Sequence, residues 1–162
     1  MKYFKLSILL IVISLCVIIF KFSAQPAYVS RVVSLNTTQK IVEMLPQTKR
    51  MTIKEKDAMA LRLDSTTRKY AHFFLYFCFG ISVFGVVFLT IGKHGILKSL
   101  LLALLFCLLY AISDEIHQIF VPGRGCQFRD VMIDFSGSFL GSLLIILLIK
   151  IKRKYMKKKI LL

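Results

Sequence analysis

The chain has 162 residues, a hydrophobic fraction of 57% and a formal net charge of +15. Its length suits one domain, and its long apolar runs exclude an ordinary soluble globular protein. Much of the positive charge directly follows an apolar run, where it suits anionic lipid rather than nucleic acid, so we expect no nucleic-acid partner. We therefore predict a single membrane domain over residues 1–162.

Four apolar runs approach the ~20 residues that a helix needs to cross a bilayer. They predict spans at about residues 4–22, 71–91, 96–113 and 131–149. The first run follows Lys2 and Lys5, as in a signal peptide, but no convincing small-residue cleavage pattern follows it, so we expect an uncleaved helix. The expected fold class is an all-α integral membrane protein, a four-transmembrane-helix bundle.

The long connection after the first span contains signals for short helices. Thr52-Ile53-Lys54-Glu55 fits a capping box that would open a helix through about Leu63. Asn36 to Thr38 would cap a second helix over 39–45, which Pro46 would end. The apolar positions of both segments predict short interfacial helices on the membrane surface, with a solvated linker as the alternative.

Basic residues predict the orientation of the bundle. Seven Lys or Arg residues lie within 150–162, a predicted basic cytoplasmic tail, and Lys2, Lys5 and the short 93–98 connection belong to the same side. The connection over 23–69 carries nine basic and four acidic residues and argues against this placement, but long segments translocate with less regard to charge. We expect both termini to be cytoplasmic.

The same topology brings most other titratable residues to one face of the membrane. The second span starts, the third ends and the fourth starts on that face. These three places hold the candidate site residues Lys69, His72, Asp114, Glu115, His117, Gln118, Arg124, Asp130 and Asp134. If the third helix continues, Asp114, His117 and Gln118 share one of its faces while Glu115 points elsewhere. Polar residues at a membrane boundary are functional candidates by default.

Three interpretations of this cluster stay open. In the first, His117 is a general base or nucleophile oriented by Asp114 or Asp130, and Arg124 holds an anionic substrate. In the second, the histidines and acids ligate a metal, although no established ligand spacing is present. In the third, the cluster is a structural ion-pair network. Asp134, about a turn inside the fourth apolar run, requires a partner in each case, with His72, Arg124, Lys69 and Arg129 as candidates.

The first interpretation assigns roles to particular residues. The catalytic candidates are His117, Asp114, Asp130 and His72, and the substrate-binding candidates are Arg124, Gln118, Lys69, Asp134 and Glu115. We expect neither a metal nor another cofactor. The four cysteines form no Cys-x-x-Cys pair and three lie in apolar runs, which favours small buried side chains over a disulfide framework or zinc site. Gly137 and Gly141 form a small-residue face that predicts close packing within the bundle.

Three segments together resemble the VanZ-like family. They are Arg68-Lys69-x-Ala71-His72-Phe73-x-x-Tyr76, Ser113-Asp114-Glu115-x-His117-Gln118-x-Phe120-Val121-Pro122-Gly123-Arg124, and Asp130-x-x-x-Asp134-x-x-Gly137-x-x-x-Gly141. The resemblance extends from about residue 20 to residue 149. It implies a small bacterial multi-pass membrane protein of the cell envelope, in the cytoplasmic membrane, and its namesake is associated with reduced susceptibility to the antibiotic teicoplanin.

From the resemblance and the cluster together we predict binding or modification of an anionic or lipid-linked envelope component at the outer face. This activity would affect the susceptibility of the cell to teicoplanin, and the protein would then contribute to antibiotic resistance. The expected partners are membrane lipids and a lipid-linked cell-wall precursor. The alternative is a non-catalytic structural or accessory membrane protein whose polar motifs hold the helix ends together. The sequence decides neither between enzyme and binding protein nor the oligomeric state.

Overall fold

The computed structural model describes residues 2–92 and 95–160, and within these ranges the chain forms helices and turns without strands. Its elements are α1 (Lys2–Ser23), α2 (Ala27–Met44), a 3₁₀ turn (Pro46–Thr48), α3 (Ile53–Ile91), α4 (Ile96–Gln118) and α5 (Phe128–Ile160). Helices α1, α3, α4 and α5 are long and apolar enough to cross a membrane, which confirms the helical membrane bundle. Lys93, used above to predict the orientation, lies outside the described residues.

Helix α1 packs into the bundle against α3 and α4. Its side chains Val12 and Ile19 are buried in the apolar core. Near the middle of the helix, the Tyr110 hydroxyl of α4 donates a hydrogen bond to the carbonyl oxygen of Cys16 at 2.7 Å. These contacts fix the height of α1 against α4, and therefore the position of its C-terminal end at the site described below.

Helix α3 joins the predicted interfacial helix to the second span. The capping box is present: Thr52 Oγ1 accepts from the Glu55 backbone N–H, and the Glu55 carboxylate accepts from the Thr52 backbone N–H at 2.7 Å. The predicted end near Leu63 is wrong, because no glycine or proline interrupts the chain before the apolar run. The resulting 39-residue helix is about 58 Å long, roughly twice the apolar thickness of a bilayer.

Helix α2 packs on the N-terminal half of α3. It begins at Ala27 directly after Pro26, so the predicted start near residue 39 is wrong. Thr37 and Thr38, expected as caps, lie inside the helix, where their hydroxyls donate to carbonyls four residues earlier. Ser34 Oγ donates a hydrogen bond to the Asp64 carboxylate of α3. The connection is therefore a helical hairpin beside the bundle rather than a solvated linker.

Small residues bring α3 and α5 together along their length. A Cβ atom added to Gly137 or Gly141 would clash with the carbonyl oxygen of Phe73 or Phe77, respectively. Ser138 Oγ donates to the carbonyl oxygen of Tyr76 at 3.2 Å, which adds a polar contact to this interface. The small-residue face predicted on the fourth span therefore packs within the bundle.

We expect Gly141→Ala to destabilise the protein by at least about 1 kcal/mol, since the added methyl group must displace the α3 backbone. Gly85→Ala is the matched control, because its Cβ would meet only Ile8 Cγ2, at 3.7 Å. That substitution should be neutral or stabilising, as alanine favours a helix. Thermal unfolding of both variants in the same detergent checks the prediction, and equal midpoints would contradict it.

The helix directions place one end of the bundle opposite the basic tail. Helices α1 and α4 end where α5 begins, and the middle of α3 lies beside them. Helix α4 continues past the predicted limit at residue 113 to Gln118, and the turn over 119–127 includes Gly123 with a φ of 76°. Positive φ suits glycine, so the chain can reverse here into α5. The predicted convergence of the polar segments is therefore present.

Candidate functional site

A polar cavity of about 250 Å³ opens where α2, α3, α4, the 119–127 turn and α5 meet. We call it the polar cavity and define it by its functional side chains. These are Arg68, Lys69, His72, Glu115, Gln118, Arg124, Asp130 and Asp134. It therefore collects seven of the nine residues that sequence reasoning selected. The remaining two, Asp114 and His117, are described residues that do not line it.

Three cationic side chains reach the polar cavity from two elements. Arg68 and Lys69 are consecutive on α3, and Arg124 comes from the turn before α5. Arg68 makes a long ion pair with Asp64, with Nη2 to Oδ2 at 3.8 Å. Its Nε is buried and has no hydrogen-bond partner in the described part of the chain. The guanidinium is therefore incompletely satisfied by protein groups.

Arg124 also ties the turn to the first helix. Its Nη2 donates to the carbonyl oxygen of Phe22 near the end of α1, at 2.9 Å. Partial burial lowers the pKa of the Arg124 guanidinium, but arginine stays charged at neutral pH in proteins. One bond uses only part of its five-donor fork, so donors remain for an anion in the polar cavity.

The acids of the polar cavity are partly engaged. Asp134 Oδ1 lies 3.9 Å from His72 Nδ1, so Asp134 has one of the partners predicted for it. The Asp134 side chain is only 2% exposed, whereas that of His72 is 30% exposed. At this separation the two groups attract without forming a hydrogen bond, and Asp134 Oδ1 has none among the described residues. His72 is thus the histidine that a ligand in the polar cavity would meet.

Glu115 departs from the expected direction. The sequence predicts that it points away from Gln118, but both residues line the polar cavity. The 119–127 turn folds back over the end of α4, and Glu115 Oε2 accepts from the Gln127 backbone N–H at 2.8 Å. Residues three apart on a helix are neighbours, which allows this arrangement. Glu115 therefore anchors the turn that carries Arg124 into the cavity.

Asp114 and His117 form a second layer beside the polar cavity. The Asp114 carboxylate accepts from Gln118 Nε2 at 3.3 Å. The His117 ring stacks on Phe20 of α1, with centroids 4.6 Å apart, and its Nε2 is buried with no hydrogen-bond partner in the described ranges. His117 therefore contacts the first helix, while Arg124 and Asp130 line the cavity. Its catalytic role stays a prediction.

Sequence reasoning missed Arg68 as a binding candidate. It lies next to Lys69 and four residues before His72, so helical spacing alone places it on the same face as that histidine. The cavity residue Ser30 was also missed, because nothing in the sequence shows that the start of α2 folds back onto this end of the bundle. No group of three or more His, Cys, Asp or Glu among the described residues has metal-binding geometry.

The cysteines are free where the structure describes them. Cys107 is buried, Cys16 and Cys78 are partly buried, and Cys126 is exposed in the turn beside the polar cavity. Of the three cysteines in apolar runs, Cys107 is the one that is fully buried, as the sequence predicts. Cys126 does not line the polar cavity, although Gly125 and Gln127 on either side of it do.

Comparison with known proteins agrees with the motifs. The profile of the VanZ/LLP1 family matches residues 7–150, which include every residue that lines the polar cavity. No curated protein and no solved structure matches the chain significantly. The match covers most of the chain and agrees with the four apolar helices of the bundle. The chain therefore belongs to the VanZ/LLP1 family and is a membrane protein.

Proposed function

We propose that this protein binds a phosphate-bearing or otherwise anionic component of the bacterial cell envelope in the polar cavity. The observation that carries the proposal is the convergence of Arg68, Lys69 and Arg124 on one small cavity at the end of a membrane bundle. Arginine side chains suit phosphate because their planar forks can donate two parallel hydrogen bonds. A lipid-linked cell-wall precursor is one ligand with this chemistry.

The balance of free and engaged groups supports an anionic ligand. Glu115 is bonded to the backbone of Gln127, and Asp134 lies 3.9 Å from His72 without a hydrogen bond to it. Arg68 Nε and most donors of Arg124 lack such partners in the described residues. The three cationic side chains of the cavity wall therefore keep hydrogen-bond donors for an anion. Asp130 Oδ1 is also buried and unpartnered there, so it suits a hydroxyl or amine next to the anionic group.

The orientation that we propose places the polar cavity at the outer face of the cytoplasmic membrane. Helix directions put Lys5, Lys98 and the basic residues after Ile149 at the end of the bundle opposite the cavity. Arg153 lies near that end, 6.0 Å from the ring centroid of Phe88. The positive-inside rule then makes both termini cytoplasmic. An envelope component would reach the cavity from outside.

The structural alternative accounts for a different layer of the cluster. The Phe20–His117 stack joins the ends of α1 and α4, and the Glu115–Gln127 bond joins α4 to the turn. The Asp114–Gln118 bond lies within the end of α4. These contacts fit a stabilising role and need no ligand. They do not engage Lys69 or Arg68, however, so we assign the layer behind the cavity to stability and the cationic wall to binding.

We expect Arg124→Gln to weaken the binding of dioctanoyl phosphatidic acid by about tenfold or more, because a hydrogen bond to a charged group contributes about 1.5–3 kcal/mol. Isothermal titration of the purified full-length chain checks this prediction. Arg129→Gln is the matched control, since Arg129 is exposed and does not line the polar cavity. Equal affinities of the two variants, or equal binding of dioctanoyl phosphatidylcholine by the unchanged chain, would contradict the proposal.

A cellular measurement tests whether binding affects the antibiotic. In a deletion strain of the source bacterium, the unchanged gene and the Arg124→Gln and Arg129→Gln variants are compared for teicoplanin susceptibility and for membrane abundance. The proposal expects Arg124→Gln alone to behave like the deletion at normal abundance. Full complementation by Arg124→Gln would remove the link between the cavity and susceptibility.

A further inference from the structure

A second cavity of about 160 Å³ adjoins the polar cavity. It lies between the end of α1, the first half of α2 and the middle of α3. We call it the apolar cavity, because most of the surface that faces it is hydrocarbon. Phe22, Val33, Ala71 and Leu75 line it together with the polar residues Gln25, Ser34, Thr37 and Thr67. It shares Ser30, Arg68 and His72 with the polar cavity, so the two spaces have a common wall. One extended ligand can therefore occupy both.

The position of the apolar cavity relates it to the lipid. Leu75 lies about one turn inside the second apolar run, and Phe22 is near the end of the first. Phe22, Val33 and the neighbouring Phe74 are all substantially exposed in the isolated chain. The cavity is thus at the level where the bilayer core begins, and it is rimmed by side chains that suit hydrocarbon.

Charge and polarity change sharply across the shared wall. On one side, Arg68, Lys69 and Arg124 present cationic groups. On the other side, the walls are mostly hydrocarbon, and Arg68 contributes to both because its aliphatic stem can pack on apolar groups while its head binds polar ones. This arrangement is complementary to a molecule with an anionic head joined to an apolar tail. A free phosphate could use only the cationic side of it.

We infer that the ligand is an anionic amphiphile, with its phosphate-bearing head in the polar cavity and the first part of its hydrocarbon chain in the apolar cavity. This inference rests on the proposed function, which concerns the head alone, and adds the chemical class of the whole ligand. A chain held in this way can continue into the surrounding bilayer past Phe22 and Phe74. The protein thereby selects molecules anchored in the membrane over soluble phosphates.

The test compares two probes with the same head. Glycerol 3-phosphate and hexanoyl lysophosphatidic acid are titrated into the full chain in phosphatidylcholine nanodiscs, with empty nanodiscs as the blank for partitioning. We expect the acylated probe to bind at least about tenfold more tightly, which corresponds to about 1.4 kcal/mol. Equal affinities would overturn the inference.

The variant Ala71→Phe narrows the apolar cavity without changing a charge. It should remove most of the advantage of the acylated probe and leave the affinity for glycerol 3-phosphate unchanged. Leu61→Phe is the matched control, because Leu61 is exposed on the same helix and lines neither cavity. Val33→Phe fills the cavity from α2 instead and provides a second variant. Equal weakening of both probes would contradict the assignment of the chain to this cavity.

The outcomes separate this inference from the proposed function. If glycerol 3-phosphate and the acylated probe bind equally, and both depend on Arg124, the anion site stands and the amphiphile is rejected. If neither probe binds the unchanged chain, the proposed function fails and the inference fails with it. If only the acylated probe binds, and Arg124→Gln and Ala71→Phe each weaken it, both are supported.

Discussion

Replacing His117 with alanine is expected to lower the free energy of unfolding by about 2–3 kcal/mol, while the affinity of the polar cavity for dioctanoyl phosphatidic acid changes less than about twofold. The ring stacks on Phe20 at 4.6 Å and does not line the cavity. Its removal takes away packing at a partly buried contact between α4 and α1, including an aromatic contact worth about 0.5–1.5 kcal/mol beyond burial alone.

His72 lines the polar cavity, so a substitution there should change binding, in contrast to one at His117. His72→Ala removes the imidazole that lines the cavity next to Asp134. We expect it to weaken phosphatidic acid binding by about fivefold or more, since binding uses groups that face the ligand and single polar contacts contribute about 1 kcal/mol. Unfolding in detergent and titration of the same samples give both quantities for both variants.

The opposite pattern would restore the first interpretation of the sequence. If His117→Ala abolishes binding at unchanged stability, the ring must turn away from Phe20 and act in the cavity. If His117→Phe, which keeps the stack, binds as well as the unchanged chain and unfolds at the same temperature, the structural role of this position is established. This variant therefore separates packing from proton transfer at residue 117.

The two histidines also show how far the sequence could lead. Alternation of four spans requires the ends of three apolar runs to meet, and that requirement is enough to bring His72, Arg124 and Asp134 to one cavity. The rotation of each helix about its axis is not contained in the topology. It depends on which side chains pack on α1, and the Phe20 contact turns His117 away from the cavity while Glu115 turns toward it.

The connection between the first and second spans illustrates a second limit. Local signals were read correctly at Thr52, because a capping box is a contact between residues three apart. They failed at Thr37 and Thr38, whose hydroxyls bond to carbonyls within the helix once α2 packs on α3. That packing, with the Ser34–Asp64 bond, is a tertiary interaction across thirty residues and leaves no periodic signal in the sequence.

The cluster thus has two layers with different consequences for mutation. Behind the cavity, Asp114 is bonded to Gln118 at the end of α4 and His117 packs on α1, while Glu115 in the cavity wall is bonded to the turn. In the cavity wall, Arg68 and Lys69 have capacity left for a ligand. A substitution in the first layer should act through stability and one in the second through affinity, so abundance must be measured beside every functional readout.

Charge reversal at Arg68 is expected to have the largest effect on binding. Arg68→Glu removes a donor from the wall shared by the polar and apolar cavities and places a carboxylate next to Asp64, in the cavity that Asp130 and Asp134 also line. We expect the affinity for dioctanoyl phosphatidic acid to fall at least about 100-fold, or about 2.7 kcal/mol, since attraction is replaced by repulsion in a partly desolvated space. Titration at low and at physiological ionic strength measures this loss.

Arg62→Glu provides the matched control for Arg68→Glu. It lies six residues earlier on α3, is exposed and lines neither cavity, yet it changes the net charge of the chain by the same amount. If the cationic wall binds the head group directly, Arg62→Glu should have an effect that disappears as salt is raised, because exposed charges are screened beyond about 8 Å at physiological ionic strength. The loss caused by Arg68→Glu should persist there. Equal losses in the two variants at every salt concentration would mean that the anion responds to the overall charge of the helix, and the polar cavity would no longer be its site.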